Sequence, residues 1–141
     1  MSHTVDIPQA VKDSLRKFRF KRRAADNNDL SALVIKVNKK QLIMEVDEQF
    51  DKITLEDLGE ELPENSPRYV VLSYVLHHAD GRTSYPLVII NWAPRGSETS
   101  LLTLHASAFI DFQATADIGK VIEIRDGAES LTQDLIDGKL H

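Results

Sequence analysis

Few residues in this chain have the chemistry to act on a substrate. Two of its five histidines are adjacent, as His77-His78, and another, His105, falls in a long apolar stretch. The acidic pairs Asp47-Glu48 and Glu60-Glu61 complete the set. Neighbouring residues on a strand point to opposite faces, so His77 and His78 cannot readily share one metal ion. His105 occupies an inward helical position and reads as a packed core histidine rather than a general base. The two acidic pairs fall in polar connecting segments, with no apolar pocket to raise a carboxyl pKa towards a general acid's range. There is no cysteine, which excludes a thiolate zinc site, a disulfide framework and a cysteine nucleophile, and fits a reducing compartment. Phosphate-binding loops, dinucleotide fingerprints and nucleophile elbows are missing. The expectation is a protein without catalytic residues, metal or cofactor.

Charge is the next source of binding chemistry, and it is unevenly spread. The net charge of −5 argues against general nucleic-acid binding. Residues 16–23 (RKFRFKRR) nevertheless carry six basic side chains, and residues 45–64 carry nine acidic ones against Lys52 alone. A phosphoinositide- or lipid-binding role would rest on the basic run only, and the cations of a helix's last turn already answer to the helix dipole. No apolar run approaches the eighteen or so residues of a membrane span, and the start MSHTVDIPQ lacks a signal-peptide core. The reading is a soluble intracellular protein, with no membrane partner and nothing that demands more than a monomer.

The elements that must position these residues follow from periodicity. At 141 residues the chain suits one domain, residues 1–141, able to bury roughly two-thirds of its unfolded surface. Asp6 as N-cap, then Ile7, Val11, Leu15 and Phe18, predict an amphipathic helix of about fifteen residues. Past the polar segment 24–29, residues 30–37 and 41–46 predict a hairpin. Thr54 and Asp57 have capping-box spacing before a short helix with Ile53, Leu58 and Leu62 inward, closed by Pro63. Residues 68–77 and 83–92 predict a central hairpin around His78-Ala79-Asp80-Gly81-Arg82, its apolar residues on both faces marking strands covered on each side. In that reading Tyr69, Val71 and Val75 share one face; Val70, Leu72, Tyr74 and Leu76 share the other. Asp80-Gly81 supplies the positive backbone dihedrals of the turn.

Residues 98–116 predict a long helix with Leu101, Leu104, Ala108 and Phe112 buried, flanked by Leu102, His105 and Phe109. Its outer face, Thr103, Ser107, Ile110 and Ala114, is uncharged, whereas a solvent-facing helix side normally carries charge. That face therefore reads as buried or as a partner surface. Residues 120–125 predict a strand, and Ser130 with Gln133 caps a last helix with Leu131, Leu135, Ile136 and Leu140 inward. The fold class is α/β (α+β): a five-stranded mixed β-sheet sandwiched between α-helices.

Four segments carry a wider likeness: LRKFRF at 15–20, ELPENSPRYVVLSY at 61–74, DGRTSYPL at 80–87, and KVIEIRD with LTQDLIDGKL at 120–140. They resemble, in register, the glia maturation factor family, a branch of the actin-depolymerising-factor homology fold. The resemblance implies a non-enzymatic actin-cytoskeleton regulator that binds the actin-related protein 2/3 complex, inhibits branched nucleation and promotes debranching, touching actin weakly at the branch junction. It implies a cytoplasmic protein of cortical actin patches that also reaches the nucleus. Carried onto this sequence, the surface facing the actin-related subunit comprises Ser2, His3, Thr103, Ser107 and Ile110, with Lys17 and Arg19 assisting. The surface facing the first actin of the daughter filament is the loop with Asp80 and Arg82. Ser2 lies where relatives carry a regulatory phosphorylation, which would add roughly −1.5 to −2 charges. The long helix departs from the family at Phe109 and its neighbours, where animal members have lysines. The alternative within the fold is a cofilin-like filament-binding and severing protein.

Overall fold

The computed structural model describes residues 5–20 and 30–140. Ser2 and His3, the basic residues Lys21, Arg22 and Arg23, and segment 24–29 lie outside them. The frame is built on β-branched, both-sides-apolar runs. β1 (Leu30–Asn38) pairs antiparallel with β2 (Ile43–Ile53) and with β3 (Arg68–Ser73), and β3 pairs with β6 (Leu87–Trp92). β7 (Val121–Ile124) joins β6 in parallel, reached through the long helix α3 (Thr99–Ala116). The order β2-β1-β3-β6-β7 is the expected five-stranded mixed sheet.

Strand alternation divides the core in two. Leu33, Ile35, Tyr69, Val71 and Ile89 face α1 (Gln9–Arg19) and α3. Ala32, Val34, Val70, Leu72, Val88 and Ile90 face the other side, where Leu58 of α2 (Leu55–Glu61) and Ile136 of α4 (Gln133–Leu140) cover them. The central strands are thus covered on both faces, as their unbroken apolar runs require.

Several expected boundaries move, each for a local reason. α1 spans 11 residues from Gln9 with Pro8 at its cap. Asp6 is not the cap: its backbone bridges to Ile43, donating to the Leu42 carbonyl and accepting from Met44 N, at 2.9 and 2.8 Å. β2 runs seven residues past 46, to Ile53. Its acidic sequence hid the strand because β2 is an edge with two register shifts against β1, and such bulges break the alternation. Asp47-Glu48 accordingly lies in a strand, not in a connecting segment, and Glu60-Glu61 lies in α2. Asp47 accepts from Arg68 Nε at 3.0 Å and sits 3.7 Å from Lys36 Nζ, an ion-paired structural role.

The central hairpin is two ladders, not one. β3 and β6 end at the Ser73–Leu87 pair, and β4 (Leu76–His77) with β5 (Thr83–Ser84) forms a separate two-stranded ribbon beyond it. Pro86 has no N–H to continue the ladder, although its carbonyl still accepts from Tyr74 N at 3.0 Å. The break undoes strict alternation, so Val75 joins Tyr74 and Leu76 in one cluster instead of Tyr69 and Val71 in the other. Thr54 caps α2 as expected, accepting from Asp57 N at 3.1 Å. The last helix is capped by Thr132 rather than Ser130: Leu135 N donates to its hydroxyl at 3.2 Å, and Ser130 closes a 3-10 turn at Ala128–Ser130.

Candidate partner-binding surfaces

α3 is held by its inner face and offers its outer one. His105, Ala108, Phe112 and Ala116 are buried, while Thr103, Ser107, Ile110 and Ala114 are exposed, Ile110 to 76 %. The Tyr69 ring lies stacked between His105 and Phe112, with centroids 4.1 and 4.5 Å away. Its hydroxyl donates to the His105 carbonyl at 2.6 Å, tying the middle of α3 to the centre of the sheet. His105 is a packed core histidine, 1 % exposed, with Nε2–H donating to Asn91 Oδ1 at 2.6 Å. Burial, and secondarily the positive charge of Arg68, lowers its pKa to about 4, so the ring is neutral at pH 7.

The outer stripe carries no unmet hydrogen-bonding demand at its two hydroxyls. Thr103 Oγ1 donates to the Thr99 carbonyl and Ser107 Oγ to the Leu104 carbonyl, both at 3.0 Å. A partner covering the stripe would strand neither donor, and Ile110 would supply an apolar contact. Within α3 the one charged side chain is the half-buried Asp111, next to Ile110, and further charges stand at the ends of the helix. At the N-cap, Lys39 pairs with Glu98 and holds its carboxyl below the usual range. At the other end Asp117 turns the chain left-handed at φ 56°.

Arg19 belongs to that second end. Its guanidinium donates to the carbonyls of Ala116 (2.6 Å) and Asp117, capping α3 from α1. Lys12, Arg16, Arg19 and Phe20 line a cleft of about 260 Å³ against Thr115–Asp117, which Lys17, although exposed, does not line. No local pattern could have revealed the cap, since Arg19 and Ala116 are 97 residues apart. Phe20, 74 % exposed beside that cleft, was not singled out in the sequence.

The second surface is the β4–β5 loop, which projects from the Ser73–Leu87 end of the sheet, opposite the Arg68–Trp92 end where the chain leaves for α3. Gly81 N donates to the His78 carbonyl and His78 N to that of Arg82, at 3.0 and 2.8 Å, with Gly81 at φ 91°. This is a three-residue loop with a left-handed glycine, and Asp80 is not at positive φ. Asp80 instead accepts from Arg82 N at 3.1 Å and from Arg82 Nε at 2.6 Å; the backbone bond chiefly depresses its pKa. Arg82 is braced by this pair while its side chain stays 76 % exposed. His77 and His78 each meet a β5 hydroxyl, Thr83 Oγ1 at 3.3 Å and Ser84 Oγ at 2.8 Å.

This frame and these surfaces can be set beside known proteins. The family model for cofilin/tropomyosin-type actin-binding protein matches residues 4–141. Glia maturation factor beta from Homo sapiens is 36 % identical over 135 residues, covering 96 % of this chain and 92 % of that protein. The chain belongs to the glia maturation factor family. Glia maturation factor from Drosophila melanogaster is likewise 36 % identical over 135 residues, with 96 % of this chain and 94 % of that protein covered. The solution structure of glia maturation factor from Caenorhabditis elegans superposes with a TM-score of 0.79 at 30 % identity, covering 99 % of each chain. A glia maturation factor is a member of the cofilin-type actin-binding group, and the mixed sheet between helical layers is its actin-depolymerising-factor homology fold. Among the described residues no helix is long and apolar enough to cross a membrane.

Proposed function

We propose that this protein binds the actin-related protein 2/3 complex, inhibits branched actin nucleation and promotes loss of existing branches in the cytoplasmic actin network. The observation that carries the reading is the exposed, uncharged stripe Thr103, Ser107 and Ile110 on a helix whose opposite face is locked to the sheet, in a chain of this family. The stripe enters an apolar groove of the actin-related subunit, with Ser2 and His3 alongside and Lys17 at the edge. Arg19 serves the contact indirectly, by holding the end of α3 on α1. The β4–β5 loop, with Arg82 braced by Asp80, presses on the adjacent actin. Two modest contacts on one rigid domain shift the branch junction only as far as they favour its separated state over its joined one.

Binding of the fluorescently labelled protein to purified actin-related protein 2/3 complex tests the first contact. Ser107→Asp places an unpaired charge in that interface and weakens binding by about 3 kcal/mol, more than a hundredfold. Wild-type affinity in a folded Ser107→Asp protein would remove α3 from the interface.

A further inference from the structure

On the opposite side of the sheet from α1 and α3 lies a hollow of about 680 Å³, within the range of ligand-sized pockets. Its floor is apolar and continuous with the core: Leu30, Ile53, Leu55, Tyr74, Val75 and Leu131. Its rim is acidic. Glu56 and Glu60, one turn apart on α2, and Glu129 of the 3-10 turn surround it, and no lysine or arginine is among its lining residues. Glu56 stands in the first turn of α2, where the helix dipole favours a carboxylate. Glu60 stands near the other end of that helix, where the dipole disfavours one, so helix stability does not account for it. Thr54 and Thr132, whose hydroxyls each accept a backbone N–H at a helix start and keep their own protons to donate, also line the hollow. All three glutamates are exposed, so the hollow opens to solvent through its charged rim.

An apolar floor under carboxylates complements one chemistry: a greasy side chain carried next to positive charge. We propose that this hollow is a second docking site, separate from the α3 stripe, and that it takes a basic peptide segment of a partner protein. A leucine, isoleucine or phenylalanine side chain enters the floor, and flanking lysine or arginine side chains meet Glu56, Glu60 and Glu129. His77 of β4 forms part of the wall, so an occupant also touches the ribbon that carries Asp80 and Arg82.

The test is a titration of the isotope-labelled full-length protein, followed by amide chemical shifts, with a panel of end-blocked hexapeptides that set one Leu, Ile or Phe among Lys and Arg. The same peptides with Glu in place of each basic residue are the control, and butylamine is the small-cation control. The expected result is movement of the Leu55, Val75 and Leu131 amides by basic peptides only, with Ser107 and Ile110 unmoved. Affinity should fall about tenfold in the Glu56→Gln, Glu60→Gln, Glu129→Gln triple variant, as three exposed charge pairs allow. Silence of those amides across the whole basic panel at millimolar concentration would overturn the proposal. So would equal binding by the triple variant, or butylamine moving the same amides as far as the peptides do.

Discussion

His105 links α3 to the sheet through a neutral ring, and that neutrality makes fold stability depend on acidity in a defined window. The unfolded imidazole titrates near 6.5, whereas burial holds the folded one to about 4. Between those values the unfolded chain binds the extra proton, so stability rises with pH: it is complete above about 6.5 and is lost progressively as pH falls to about 4. At about 1.4 kcal/mol per pH unit, the full span is worth about 3 kcal/mol, a sizeable part of the 5–15 kcal/mol typical of a domain. The perturbation is His105→Phe, which preserves an aromatic ring against Tyr69 but abolishes the titration and leaves Asn91 Oδ1 without its donor. Urea unfolding of both proteins from pH 7 to pH 4.5 supplies the comparison. At pH 7 the variant is less stable by about 1–3 kcal/mol, the cost of the orphaned amide. By pH 4.5 the wild type loses about 2 kcal/mol of that advantage. Asp80 and Glu98, whose carboxyls titrate low in the fold, are present in both proteins and cancel in the difference. Parallel pH profiles would mean instead that His105 is charged or hydrated in the fold.

Arg19→Ala deletes both donors that cap α3 and should cost about 1–3 kcal/mol in thermal or urea unfolding. Hydrogen exchange should quicken at residues 113–117 before the rest of the helix, and unchanged exchange there would return Arg19 to a pure contact role. Arg82→Ala should impair debranching more than it weakens binding to the isolated complex, because in the proposed function its loop contacts actin and not the actin-related subunit. Equal losses in both assays would count against two separate surfaces.

How much of this was legible in the sequence depended on the range of the interactions. α3 and its outward stripe could be read because an eighteen-residue helix with an uncharged run keeps its period whatever it packs on. The covered strands β3 and β6 were legible from their continuous apolar runs. The break between the two ladders carried a signal, Pro86 at a position that needed a donor, but the strong turn at Asp80-Gly81 masked it. β2 was half hidden because a bulged, charged edge strand loses the alternation that marks a strand. Asp6 looked like a cap because its side chain suits that position, while its backbone was taken by Leu42 and Met44. Arg19 was beyond local reading: the helix dipole explained its charge, and only the fold brings it to Ala116. The acidic hollow escaped for the same reason, since its glutamates and its apolar floor come from segments far apart in the chain.

Single-filament fluorescence imaging of preformed branched actin networks, with the purified protein added and unbranched filaments in the same field, separates debranching from severing. The expected result is loss of branches while mother filaments stay intact, and a marked reduction of that effect by Ser107→Asp. Fragmentation of the unbranched filaments would place the protein among the severing members of the fold, and branches that persist at saturating protein would contradict the proposed function.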